Sequence, residues 1–351
     1  MTAFLKYLLK QLAAVCLSFL GITFVVFASL MLYTPEERAD LYLSPNTKNP
    51  EAVQRAIAQV IADHHFDEPF LRQYGRWLAG LFKGEWGYSP VYDTDVFQTI
   101  LRYAPASLEL LTCSLLFFIP FGILAGVLAG RKKDTFIDHV VRVTASITGS
   151  IPLFILAFIF LAVFYVSLNW FAPGRLGTLN AIYVKSDAFQ LITGFYTIDG
   201  FLNDRADISL DAARHLAMPA FSLGLLQWAT LTRITRSSVI DEEKKDYVTA
   251  AVARGVRPER VTWQHVFLNS LSPVMTASGL TAATLTTELF VVELIFNYEG
   301  MSQLISSLTS MPDGFAVLGF IAFNLLLTLG LILFFDLIKA SVDPRIREEV
   351  M

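Results

Sequence analysis

Six stretches of this chain each reach the length of roughly 20 mostly apolar residues that a helix needs to cross the hydrocarbon of a bilayer. They run from about Leu12 to Leu32, Leu108 to Ala129, Ile147 to Leu168, His215 to Leu231, Val274 to Phe296 and Phe315 to Ile338. The fourth is short and carries Pro219, the fifth is rich in threonine and alanine, and the sixth is the most apolar. This predicts an all-α integral membrane protein with six transmembrane helices. Lys6 and Lys10 precede the first stretch as basic residues precede a secretory signal, but the apolar run is longer than a signal core and reads as a retained span.

Composition agrees. Of 351 residues 54% are hydrophobic and 17% charged, and the mean hydropathy is +0.52, more apolar than an ordinary soluble domain. A net charge of −4 without a basic tail leaves no field to hold nucleic acid. Cys16 and Cys113 both lie in apolar runs, which gives neither a disulfide framework nor zinc-ligand spacing.

Orientation follows from lysine and arginine in the connections. Arg131, Lys132, Lys133 and Arg142 follow the second span; Arg233, Arg236, Lys244, Lys245, Arg254, Arg257 and Arg260 follow the fourth; Lys339, Arg345 and Arg347 follow the sixth. The connection 297–314 has no basic residue. Both termini are therefore expected in the cytoplasm. The chain reads as an N-terminal end and first helix (1–32), an extracytoplasmic segment (33–106) and a five-helix core (107–351). Within 33–106, apolar residues at helical spacing, interrupted near Phe66 to Pro69, predict two short helices at the membrane surface. The adjacent pair His64 and His65 faces two directions on a helix, makes a poor metal pair, and reads as a solvated turn.

The longest polar stretch of the second half is "DYVTAAVARGVRPERVTWQHVFLNS", 246–270. Asp246 to Arg254 contains no helix breaker, Gly255 is suited to the residue just past a helix end, Pro258 to a first helical position, and Glu259 to a helix N-terminus. Two short helices in an L or hairpin are expected, with Trp263, Val266 and Phe267 to bury and Ala250, Ala251 and Ala253 allowing close approach. A docking element for a cytoplasmic partner and a plain amphipathic connector both fit this pattern.

"YVTAAVARG" followed by "WQHVFLNSLSP" resembles the coupling-helix segment, or EAA loop, of permease subunits of ATP-binding-cassette importers, in the form of the peptide branch that serves oligopeptides, dipeptides and nickel. "QYGRWLAGLFKGEWGYS", "APASLELL", "SIPLFILAFIF", "HLAMPAFSLGL", "VVELIFNYEGM" and "SVDPRIRE" resemble that branch in the same order along nearly the whole chain. The resemblance implies a type I importer permease fold and a coupling segment at 235–272. There Asp246, Tyr247, Ala250, Ala251, Arg254 and Gly255 would enter a groove of an ATP-hydrolysing subunit. It also implies a second homologous permease subunit, two ATPase subunits or domains and an extracytoplasmic solute-binding protein, all in a bacterial or archaeal inner membrane. Thr249 departs from the broader family's glutamate, Arg257 from its serine cap, and Tyr298–Ser302 from its Trp-Pro-Gly-x-Gly.

No Gly-x-x-x-x-Gly-Lys-[Ser/Thr] loop is present, so ATP phosphates would be bound elsewhere. The chain is expected to be no enzyme and to bind no cofactor or metal itself, with Mg-ATP on the partners. For the solute path the fifth span offers Thr281, Thr284 and Glu288 with Ala277 on one helix face, and Thr276, Gly279, Ala283 and Thr287 beside them. Such a face belongs against a bundle or water rather than lipid. Glu288 suits either an amino group or cation of the solute or a hydrogen bond to a neighbouring helix. Glu293 reads as structural at the outer mouth, Glu109 and Asp336 as interfacial, and His215 as a helix-end or interface residue rather than a base. A secondary transporter would want inverted repeats and interrupted helices, and none is convincing; a membrane enzyme would want clustered histidines, and the five here are dispersed. Peptides are the cargo the resemblance implies, with nickel chelates, glutathione-like compounds or oligosaccharides as alternatives.

Overall fold

The computed structural model describes residues 2–40, 42, 50–89, 91–308 and 313–342. They fall into two compact units, one from Ala14–Ala104 with Met301–Leu326, the other from Pro105–Gly300 with the described parts of Met1–Ala13 and Leu327–Met351. In chain order the elements are α1 (Thr2–Leu30), α2 (Pro35–Asp40), α3 (Pro50–His64), α4 (Phe70–Lys83), β1 (Tyr88–Ser89), β2 (Thr94–Asp95) and α5 (Val96–Arg131). Then come α6 (Phe136–Ser150), α7 (Leu153–Phe160, prolonged by a π-helical stretch Leu161–Ser167), α8 (Thr178–Tyr183), α9 (Tyr196–Leu202) and α10 (Ala206–Glu243). The last are α11 (Asp246–Ala253), α12 (Pro258–Arg260, continued by the π-helical Val261–Val266), α13 (Phe267–Ile295), α14 (Ser302–Leu308) and α15 (Gly314–Val342).

In the smaller unit, α3 and α4 are the two short helices expected there, separated at the predicted interruption. Phe24 and Phe27 of α1 meet Phe70, Tyr74 and Trp77 of α4 edge-on or tilted, at centroid distances of 4.9 to 6.0 Å, geometry that aromatic quadrupoles favour. β1 and β2 pair antiparallel through Tyr88 with Asp95 and Ser89 with Thr94. The His64 ring is not a free turn residue: it stacks on Phe66 at 5.5 Å and 18°.

Among the described residues four helices are long and apolar enough to cross a membrane: Lys6–Leu30, Val96–Arg131, Pro258–Ile295 and Gly314–Ser341. The third expected span, 147–168, is not one straight helix. Phe136–Ser150 and Leu153–Ser167 together are apolar enough to be a fifth crossing, but they are bent by 101° between them. Ile151 takes an extended conformation with ψ 122°, the conformation favoured before proline because the ring of Pro152 crowds the α region. The fourth stretch, 215–231, lies inside the 38-residue α10, whose charged ends and small polar residues keep it out of the apolar set.

In the larger unit α10 is the axis against which α6, α7, α9 and α13 pack. Its contact with α5 uses a sequence feature that hydropathy does not register: Gly122, Gly126 and Gly130 lie opposite Leu231, Thr235 and Val239, both series advancing by four. A Cβ on Gly126 would stand 2.5 Å from the Thr235 Cβ and 2.8 Å from the Thr232 carbonyl oxygen. Small residues every fourth position let two apolar helices approach backbone to backbone, where dispersion substitutes for the missing hydrophobic drive. Asp138 of α6, wholly buried, accepts both arms of Arg236 of α10, from Nε at 2.5 Å and Nη2 at 2.8 Å, a bidentate pair that fixes the two helices in register.

Candidate coupling and translocation surfaces

The segment at 246–270 is built on a valine core. Val127 of α5, Val239 of α10, Val248 of α11, and Val261 and Val266 of the π-helical stretch are buried together, with Tyr247, Ala251, Val256 and Phe267 packed around them. The turn after α11 is closed by two backbone bonds, Val256 N–H to the Ala251 carbonyl at 3.2 Å and Gly255 N–H to the Val252 carbonyl at 2.9 Å. With Gly255 at φ +74°, this is a Schellman ending, which needs a residue free to enter the left-handed region. Tyr247 donates its hydroxyl to Glu242 Oε1 at 2.7 Å, and Lys245 Nζ reaches Glu242 Oε2 at 2.6 Å. Arg131 of α5 pairs with Glu259 of α12 at 2.9 Å.

One face of α11 is therefore pinned and the other is bare. Asp246, Thr249, Ala250, Val252, Ala253, Arg254 and Gly255 are exposed, and a Cβ on Gly255 would meet nothing within 4 Å. Of the predicted set, Tyr247 and Ala251 turn toward the valine core instead. The second arm differs from expectation. It is no separate short helix: from Pro258 the chain runs without a break into α13, so Pro258–Ile295 is one 38-residue helical rod. Pro258 opens it because a first helical position has no use for the missing N–H, and Pro273 does not stop it. Val266 is buried as predicted, whereas Trp263 stays exposed against Phe267.

A groove of about 720 Å³ lies between α10 and α13, lined by Gln227, Thr230, Thr276, Ala277, Thr281 and Thr284 with apolar neighbours. Thr281 is buried and Thr284 exposed on its rim. Glu288, one turn on, is half-buried and accepts a hydrogen bond from Gln227 Nε2 on α10 at 2.9 Å. Thr281 and Thr284 therefore line the groove, whereas Glu288 lies on the same face of α13 one turn beyond its lining. Gly279 is not with them: it packs against Phe335 of α15, 3.1 Å from where its Cβ would be.

Glu293 belongs to a different cluster. It is fully buried and accepts from the Ser107 hydroxyl of α5. Beside it Glu109, expected at an interface, is only 2% exposed. Arg175 Nη2 donates to its Oε2 at 2.8 Å, Tyr298 donates to the same oxygen at 3.1 Å, and the amide and hydroxyl of Thr197 both donate to Oε1. Burial opposes the charge of Arg175, yet Tyr298 and Glu109 hold its pKa above the ordinary arginine value. The guanidinium also lies 4.0 Å from the centre of the Tyr196 ring. The connection from α7 to α10 is tied down by these bonds and by its own core of Val184, Phe189 and Ile208. His215 is buried within α10, its Nδ1 3.1 Å from Asp211 Oδ1, and Asp336 of α15 accepts from Gln11 of α1 at 3.0 Å.

Residues 120–348 match the family described as the binding-protein-dependent transport system inner membrane component. The chain belongs to this family. Among similar inner membrane components, the di/tripeptide transport system permease protein DppB of Pseudomonas aeruginosa is 32% identical over 98% of this chain and 99% of its own length. The dipeptide transport system permease protein DppB of Escherichia coli is 29% identical over 98% and 99%. The oligopeptide transport system permease protein AppB of Bacillus subtilis is 29% identical over 93% and 94%. The family is one of transport permeases, not enzymes, and its members are membrane components of larger transport systems.

Two residues that matter here escaped the sequence reading. Gln227 stands alone among apolar neighbours in "LGLLQWATL", and a lone amide in such a run is itself a signal of an interhelical bond. Glu242 sits in the acidic run Asp241–Glu243 at the end of α10 and gave no signal apart from its charge.

Proposed function

We propose that this chain is the permease subunit that forms half of the translocation path of an ATP-driven importer of di- or oligopeptides. The end-to-end similarity to three peptide permeases carries the reading. In it, the chain crosses the membrane six times, the bent pair α6–α7 and the polar α10 supplying the third and fourth crossings, with both termini in the cytoplasm. A second homologous permease completes the path, an extracytoplasmic binding protein delivers solute, and two ATPase subunits bearing Mg-ATP supply the work.

Asp246, Ala250, Arg254 and Gly255 then form the docking face for an ATPase groove, while Tyr247 and Ala251 hold that face to the valine core. The geometry supports this division. A surface that transmits force needs one side rigidly attached and the other open to a partner. The rod from Pro258 to Ile295 would carry displacement of the docking face to the groove at Thr281 and Thr284 and to Glu288 beyond it. Glu293 would serve the outer end as part of the buried cluster rather than as a solute contact.

The test is co-purification of the chain with its partner permease and ATPases, comparing the wild type with Ala250→Trp. Ala250 is exposed on a regular helix, so the indole leaves the fold intact and blocks only a docking groove. Wild type that retains the ATPases and a folded variant that releases them support the reading. Equal retention refutes the docking assignment.

A further inference from the structure

The α13 wall of the groove between α10 and α13 is a surface of acceptors, while on the α10 wall Thr230 accepts a hydrogen bond from Arg233 at 3.5 Å. Thr276, Thr281 and Thr284 each donate their hydroxyl hydrogen to a carbonyl one turn back on their own helix: Ser272 at 3.1 Å, Ala277 at 2.8 Å and Leu280 at 3.0 Å. What remains of each hydroxyl toward the groove is lone-pair capacity. Gln227, 5% exposed, directs Nε2 to Glu288 Oε2. A neutral amide orients a carboxylate but brings no positive charge, and among the described residues no lysine, arginine or histidine nitrogen lies within 4 Å of Glu288. Its Oε1 has no hydrogen-bond partner among them either. A half-buried carboxylate in an apolar helix without a counter-ion is costly. At about 720 Å³ the groove is within the range of small-molecule sites.

A groove wall of acceptors with an uncompensated carboxylate one turn beyond its end fits a ligand that brings donors and a positive charge together. We infer that Glu288, positioned by Gln227, receives the α-ammonium group of the solute, so that the path itself selects solutes with a free amino terminus. The ammonium's three N–H donors would be shared between Oε1 of Glu288 and the threonine hydroxyls of the rim. The inference rests on the peptide-permease reading and adds to it the end of the peptide that is recognised and the residue that recognises it. Gln227 acts as a positioning residue, through Glu288.

The experiment uses the full importer with its binding protein in proteoliposomes, and measures ATP-dependent uptake of alanyl-alanine and of N-acetyl-alanyl-alanine. Any preference of the binding protein is the same for wild type and variants, so it cancels when they are compared. Glu288→Gln keeps the shape and the bond to Gln227 while removing the charge. Loss of a charge-assisted hydrogen bond should raise KM for the free dipeptide about ten- to a hundredfold, with kcat little changed and uptake of the acetylated peptide altered less than about twofold. Gln227→Leu should raise the same KM by a smaller factor, and Glu288→Asp should recover part of the loss. If Glu288→Gln affects both peptides equally, or neither, while ATP-driven uptake persists, the inference fails and the permease reading stands. If Glu288→Gln makes the two permease subunits separate, its counter-ion is on the partner subunit and the inference again fails. If the wild-type importer takes up neither peptide with ATP, the peptide-permease reading fails and the inference with it.

Discussion

A methyl group at Gly126 should be felt more than at any other helical glycine of the larger unit's α5 seam. Its Cβ would lie 2.8 Å from the Thr232 carbonyl oxygen and 2.5 Å from the Thr235 Cβ; the first is backbone and cannot rotate away. Two terms compete. Alanine is favoured over glycine within a helix by about 1 kcal/mol, whereas forcing a methyl into filled space costs about 1–3 kcal/mol. Gly330, on α15, has nothing within 4 Å of its Cβ, so Gly330→Ala experiences only the first term. Since both sites are helical, the propensity gain cancels in the comparison. Gly126→Ala should therefore be less stable than Gly330→Ala by about 1–3 kcal/mol. Gly122→Ala should fall between them, its nearest contact, the Leu231 Cβ, being farther off at 3.2 Å. Thermal unfolding of the purified variants in one detergent gives the order directly. A Gly126→Ala protein as stable as Gly330→Ala would refute the close approach of α5 and α10.

Three further outcomes follow from the same geometry. Arg175→Met strands the buried Glu109 and should destabilise by about 3–5 kcal/mol, with Glu109→Gln added to it recovering part; thermal unfolding of the single and double variants measures this. Tyr247→Phe keeps the ring in the valine core but loses the bond to Glu242, so it should cost about 0.5–1.5 kcal/mol, seen as faster amide exchange in α11 with little change elsewhere. Gly255→Ala meets no steric obstacle but must hold φ near +74°, about 1–2 kcal/mol of local strain. Proteolysis or exchange at 246–257 should rise while the rest of the chain keeps its protection.

What could be read beforehand was whatever depended on local chemistry. The break after Arg254, the left-handed Gly255, the start at Pro258 and the common face of Thr281, Thr284 and Glu288 all follow from helix periodicity and end rules, which act over a few residues. The misreadings have a shared cause. Hydropathy averages over a window, so it saw the apolar run 147–168 and not the single steric conflict at Ile151–Pro152 that bends it by 101°. It also recorded glycines at 122, 126 and 130 as neutral, although their worth depends on Leu231, Thr235 and Val239 about a hundred residues later. Glu109 looked interfacial because nothing local reveals that Arg175, Thr197 and Tyr298 will converge on it.

The one structural correction that bears most on mechanism is the continuity of Pro258–Ile295. Two short helices joined to a separate span would dissipate a push through flexible joints. A single helix of 38 residues, at 1.5 Å per residue about 57 Å long, does not. Its lower end is packed into the valine core beside α11, and its middle lines the groove. The π-helical stretch Val261–Val266 is the part of that rod whose hydrogen bonding departs from the α pattern, and such local bulges recur at functional sites. Val261 and Val266, at its two ends, are both buried in the core that holds α11. In the proposed coupling, displacement of α11 would meet the rod where its bonding is least regular, and rotation there would move Thr281, Thr284 and Glu288 together, as one face, without bending the helix that carries them.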